Sequence, residues 1–285
     1  GVNLADLPTR RTEAWKYSDL RAAMNESVRF AICRDRVDAN VEAARARGGV
    51  IGALAAQMDG VETLNVAVGQ SLVRVDRPQY ANLEPRLLVV NVAAGATLTR
   101  VVVQSNRPDA VMLDAAHVRL GAGSRLRQVI LAEGAKLARI ETHVSIEGEG
   151  AEVELNGVYM CGEGRHADLT SVIEHKVGGS QTRQLIKGVA RKGGRGVFQG
   201  KIVVDHGAHK TDARQYHHGL LLEEGAEIFA KPELMIHADD VQCAHGNTAG
   251  GLDETALFYM RSRGVPEHEA RALLIEAFLV EAVLE

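Results

Sequence analysis

The chain has 285 residues, 33 Lys plus Arg against 37 Asp plus Glu, a formal net charge of -4 and 46% apolar residues, the balance of a folded globular protein. Mild acidity offers no field to gather phosphate backbones, and aromatics at 4% leave few stacking platforms for single strands, which argues against nucleic acid as a partner. Cys33, Cys161 and Cys243 form no C-x-x-C pair and read as reduced and intracellular, and no apolar stretch approaches the roughly 18 residues of a membrane span, so the expected location is the cytoplasm.

In chain order, residues 1–85 read as a mixed, partly helical region. A short helix is expected over Thr12 to Met24, and another from Val41 through Arg47 that Gly48-Gly49 closes. Residues 86–249 change texture to short β-branched runs, such as Leu87-Leu-Val-Val-Asn-Val, Gln128-Val-Ile-Leu and Ala151-Glu-Val-Glu-Leu, with no helical period. Turn glycines follow one another from Gly123 to Gly225 at intervals of 11 to 18 residues, with Gly207 counted as one corner. That rhythm suits a β-sandwich or a solenoid, and small Gly corners with few aromatics favour the solenoid.

Residues 250–285 read as a C-terminal helical pair: Asp253 caps the first helix, Gly264 ends it, and Pro266 starts the second. On the second helix Leu273, Leu274 and Phe278 form an apolar stripe that packs either on the chain's own first helix or on a partner. A DNA-binding helix-turn-helix is excluded by charge, since Glu267, Glu269, Glu276, Glu281 and Glu285 face only Arg271. Nucleotide loops fail as well. Gly200-Lys201 lacks the glycine and hydroxyl of a Walker A motif, having Arg195 and Ile202 there, and neither Gly148/Gly150 nor Gly194/Gly196 has the third glycine of a dinucleotide fingerprint.

Six histidines lie between Asp205 and His245. His206 and His209, three apart and followed by Lys210-Thr-Asp212, read as a solvated turn. Cys243 and His245 stand two apart and share a face if extended, a soft and a borderline donor suited to zinc, copper or the iron of an iron-sulfur cluster. Two ligands do not close a tetrahedral site: Asp239 or His237 completes it, or another chain does, or the pair is structural.

Taken together, Thr211-Asp-Ala-Arg-Gln215, Lys231-Pro-Glu-Leu-Met-Ile236, Ala238-Asp-Asp-Val-Gln-Cys-Ala-His-Gly246, Leu257-Phe-Tyr and, near the start, Glu13-Ala-Trp-Lys-Tyr-Ser-Asp-Leu20 resemble the SufD branch of the SufB/SufD iron-sulfur cluster assembly family. The resemblance implies a right-handed parallel β-helix with a helical N-terminal segment and a C-terminal helical pair. It implies a non-catalytic scaffold that pairs with a SufB paralogue and docks the SufC ATPase through the C-terminal helices, with Leu257, Phe258, Leu273, Leu274 and Phe278 as partner-binding residues. It makes His245 and Cys243 candidate ligands of a transient iron-sulfur cluster at the SufB boundary, with no cofactor held by the isolated chain. Ala244, Asn247 and His209 depart from the family pattern. A homodimer through the exposed β-helix face is the expectation when SufB is absent. The competing readings are a solenoid carbohydrate-active enzyme using Asp239 and Asp240, which alternate in direction if on a strand, and a stand-alone metal-binding protein using the histidines.

Overall fold

The computed structural model describes residues 6–24, 39–77, 83, 85–105 and 107–284; Cys33 lies outside them. Two parallel seven-stranded sheets carry the fold. The first holds β1 (Val61–Val66), β3 (Arg86–Val92), β5 (Val111–Leu120), β7 (Leu137–Ile146), β9 (His166–His175), β11 (Arg195–Val204) and β13 (Glu227–Ile236). The second holds β2 (Ser71–Asp76), β4 (Thr97–Gln104), β6 (Arg125–Ala132), β8 (Glu152–Cys161), β10 (Gln181–Ala190), β12 (Asp212–Leu221) and β14 (Gln242–Gly250). The chain alternates between the sheets, so each pair of strands is one coil of a parallel β-helix, and register partners lie 26 (Val61 opposite Leu87) to 32 (Arg195 opposite Glu227) residues apart. The 11-to-18-residue glycine rhythm is half a coil. The solenoid begins at Val61, not at 86. Its first two strands mix polar residues with valines that stay exposed (Val73 70%), so they lack the apolar run of the later ones.

Inward side chains of the two sheets interlock between them, as in the cluster of Val90, Leu98, Leu126, Val144, Leu155 and Ile173. Glycine corners stack along one edge: Gly95 donates its N–H to Ala122 O (2.8 Å) and Gly123 to Glu149 O (2.8 Å), each at a left-handed φ that a Cβ would strain. At the last two corners Lys210 (φ 60) and Asp240 (φ 54) take that conformation, and Lys210 N–H bonds Asp240 O at 2.8 Å. Gly207 is not the left-handed residue of its turn; Lys210 is.

The expected helix over Thr12 to Met24 is instead a 3-10 turn at Glu13–Trp15 and a short helix α1 (Leu20–Ala23) capped by Asp19, whose carboxylate accepts Ala22 N–H. The segment is a strap across the outer face of the first sheet. Trp15 stacks 3.9 Å from the Arg139 guanidinium, which also donates to Ala14 O (2.7 Å), Asp168 Oδ2 (2.7 Å) and Glu141 Oε1 (2.5 Å). Ser18 donates to Asp168, Tyr17 stacks on Phe229 (5.1 Å), and Lys231 bonds Glu13 (2.5 Å). Binding these side chains to a flat sheet demands an extended path, which overrides helix propensity.

Helix α2 (Ala39–Gln57) breaks at Gly48-Gly49 and resumes at once, the second half crossing the first where Gly52 leaves no Cβ against Ala44 O. It covers the outward Leu87, Val89, Leu113 and Ala115 of the first sheet. Helices α3 (Glu254–Ser262) and α4 (Glu267–Leu284) follow the last strand; Asp253 caps α3 through Thr255 and Ala256 N–H (2.8 and 3.0 Å), and Gly264 ends it at φ 87. α4 lies over β8 and β10, held by Lys187, which pairs with Glu281 and sits 4.5 Å above the Phe278 ring. No helix among the described residues is long and apolar enough to cross a membrane.

Candidate functional site

β13 and β14 are the last strands of their sheets, so each presents an unpaired row of N–H and C=O groups at one end of the solenoid. β14 carries the Cys-x-His pair. In register with β12, Cys243 lies beside Ala213 and His245 beside Gln215, both fully buried, which puts the pair on the inward row of the second sheet where that row emerges at the open coil. Cys243 is half-buried against the core, and His245 is exposed. Burial pushes the Cys243 thiol up, and the Asp212 carboxylate adds to this, so the free side chain is a neutral thiol near pH 7 that loses its proton on meeting a metal.

The remaining residues singled out from sequence go elsewhere. His237, at the end of β13, faces not Cys243 but His206, one coil earlier, with ring centroids 5.3 Å apart. His209 contacts Asp239 O through Nδ1 (2.9 Å), tying one corner to the next. Asp239 and Asp240 sit in the β13–β14 turn rather than on a strand, and Asp240 is left-handed. Among the described residues no three His, Cys, Asp or Glu side chains converge to hold a metal, so neither Asp239 nor His237 closes a site with Cys243 and His245.

Sequence reasoning missed what lies beneath β14. His217 is fully buried, stacked on Phe198 (5.3 Å) and Tyr159 (6.0 Å), with Nε2 2.9 Å from Tyr159 Oη and Nδ1 2.8 Å from Asn247 Oδ1. Burial drives it down to about 4, so the ring is neutral: Nδ1–H donates to Asn247, and Nε2 accepts the phenolic proton. On the outer face His218 pairs with Thr248 at 2.6 Å. Each pair is 30 residues apart, the spacing of this one coil, which a solenoid with coils of 26 to 32 residues does not announce as a fixed period.

The five residues expected to bind a partner divide. Leu257 is buried, Leu274 and Phe278 are half-buried with Phe278 against Lys187, while Phe258 (72%) and Leu273 (50%) stand open to solvent together with Tyr259.

A family profile described as SUF system FeS cluster assembly, SufBD core domain, matches residues 65–278, a span that takes in all of the solenoid but β1's first residues and most of the C-terminal helices. The chain is 37% identical over 148 residues to the iron-sulfur cluster assembly protein SufD of Escherichia coli, covering 52% of this chain and 35% of that protein. It is 32% identical over 207 residues to a SufBD family protein of Synechocystis (72% and 46%), and 34% identical over 221 residues to the chloroplastic protein ABCI7 of Arabidopsis thaliana (76% and 46%). It thus spans half or less of the length of these relatives. With the profile match covering most of the chain, the parallel solenoid and the Cys-x-His strand at its open end belong to a member of the SufBD family of iron-sulfur cluster assembly proteins.

Proposed function

We propose that this chain is a non-catalytic scaffold subunit for iron-sulfur cluster assembly: it pairs with a SufB paralogue through β13 and β14, docks the SufC ATPase through α3 and α4, and holds a nascent cluster as cargo between His245, Cys243 and groups of SufB. The observation that carries this reading is the open terminal coil. Two soft-metal donors sit on a strand whose outer edge is unpaired, and no third donor in the chain joins them among the described residues. A cluster held there needs a second chain, and an unpaired strand edge is what a second β-helix extends. Phe258, Tyr259 and Leu273 supply the exposed apolar face for the ATPase, while Phe278 is engaged with Lys187.

Co-expression with SufB and SufC, anaerobic purification and assay of iron and sulfide test the reading. Wild type and His245→Ala should both assemble, and only wild type should carry cluster. Equal loading would move the ligands to SufB, and failure of any complex to form would remove the scaffold role. Phe258→Asp should release SufC while leaving the β-rich fold unchanged by circular dichroism.

A further inference from the structure

One acceptor beneath the candidate site is unspent. Gln215 is fully buried on the inward row of β12, and its Nε2 donates to Gly200 O (3.2 Å) across the interior. That carbonyl fixes the amide's orientation, since an oxygen in the same place would face another acceptor. Oε1 is therefore the free end: it packs beside Gly200, where the missing Cβ leaves it room, and it is buried without a hydrogen-bond partner among the described residues. Such an orphan costs on the order of what a lost hydrogen bond does and calls for a reason.

The reason lies one strand away. Gln215 is the register partner of His245, and parallel neighbours stand about 4.8 Å apart. The flanking β12–β14 pairs bridge that gap with side-chain hydrogen bonds: His217 to Asn247 at 2.8 Å on the same inward row, and His218 to Thr248 at 2.6 Å on the outer one. The pair between them and the corner, Gln215 and His245, is open: among the described residues the acceptor on one side has no donor and the exposed imidazole on the other has no partner.

Resting on the scaffold reading above, we propose that Gln215 is the positioning residue of His245: its Oε1 accepts one imidazole N–H, which fixes the tautomer and turns the other ring nitrogen, lone pair outward, to the open end of the solenoid. A ligating histidine commonly gives its second N–H to a carbonyl or carboxylate, and losing that partner costs about tenfold to a hundredfold in metal affinity. A neutral amide carbonyl does this without adding charge next to a cluster.

The test is ring-nitrogen NMR of the histidine-labelled chain at a pH where imidazole is neutral, with the His245 signals assigned by His245→Ala. Wild type should show one tautomer; Gln215→Met, which keeps the volume and loses the acceptor, should show two; Gln215→Glu, which restores an acceptor, should return to one. The His217 signals report an intact coil, and if Gln215→Met disturbs them, Gln215→Asn, with its carbonyl drawn back by a methylene, makes the same comparison. In the complex with SufB and SufC, bound iron and sulfide should fall at least about tenfold in Gln215→Met and recover in Gln215→Glu. The same tautomer mixture in wild type and all variants overturns the proposal. A tautomer change as expected, with His245→Ala still loading cluster as wild type does, leaves the positioning role standing and removes the cluster role.

Discussion

The middle coils and the open end of this solenoid differ in how their large polar side chains are paired. In the middle, Arg100 is 1% exposed yet bonded to Asp76 (2.7 Å), Gln128 (3.0 Å) and Asp114 (3.2 Å), and His175 is held between Ser180 (2.7 Å) and Thr182 (3.0 Å). At the open end, Gln215 Oε1 on β12 and His245 on β14 have no hydrogen-bond partner among the described residues. Arg100 and His175 are satisfied within the chain; His117 Nδ1 on β5 and Gln215 Oε1 are both buried without a partner among the described residues, and of these two only Gln215 borders the terminal strand.

The largest test of that contrast is acid. His166, His175 and His217 are each driven to about 4, in every case first by burial, whereas an unfolded chain binds their protons near 6.5. Their folded pKa values are depressed, so the stability they contribute is complete above pH 6.5 and is lost as pH falls toward 4, at up to about 1.4 kcal/mol per pH unit for each ring. Denaturant titrations at pH 7.5, 6 and 5 should fall steeply; a flat profile would mean the rings are not buried neutral. Next comes Arg139→Met, which strands the Asp168 and Glu141 carboxylates and should cost about 3–5 kcal/mol by urea unfolding. An effect below about 1 kcal/mol would show that the strap is not bound as described.

Asn247→Ala is expected to be milder and local. It leaves the buried His217 Nδ1–H without an acceptor, a loss of about 1–3 kcal/mol, and hydrogen exchange should quicken in β14 while β8 and β10 keep their protection. Uniform quickening would make the last coil no looser than the rest. The smallest change is Lys210→Gly, which relieves a left-handed lysine at a corner that glycine occupies elsewhere in the stack; a gain under about 1 kcal/mol in chemical denaturation is expected, since glycine also loosens the unfolded chain.

The β-helix was legible because its corners need small left-handed residues, and glycine marks them. The capping of α3 by Asp253 and its end at Gly264 followed equally well from local chemistry. What did not show was anything set by stacking. Coil lengths vary between 26 and 32 residues as corners gain or lose a residue, so no fixed period announces that His237 meets His206, or that Gln215 lies beside His245. The strap failed for a related reason: Thr12 to Met24 has a helix former's composition, and only the sheet it lies on, with Arg139, Asp168 and Lys231 drawn from three different coils, dictates its extended course. Of the candidate site, the Cys-x-His pair was readable and its open coil was not.

The strap also orders events in time. A solenoid can grow coil by coil as the chain leaves the ribosome, each turn resting on the one before. Glu13 and Lys231 are 218 residues apart, and Ala14 and Gln199 185, so the strap, made before the solenoid, finds its partners only after nearly the whole solenoid has emerged. Closing so long a loop is slow compared with stacking the next coil. Docking of the strap on β13 is therefore the late step of folding, and it fastens the last-made strand of the first sheet, the one that borders the open end, only once every coil beneath it is in place.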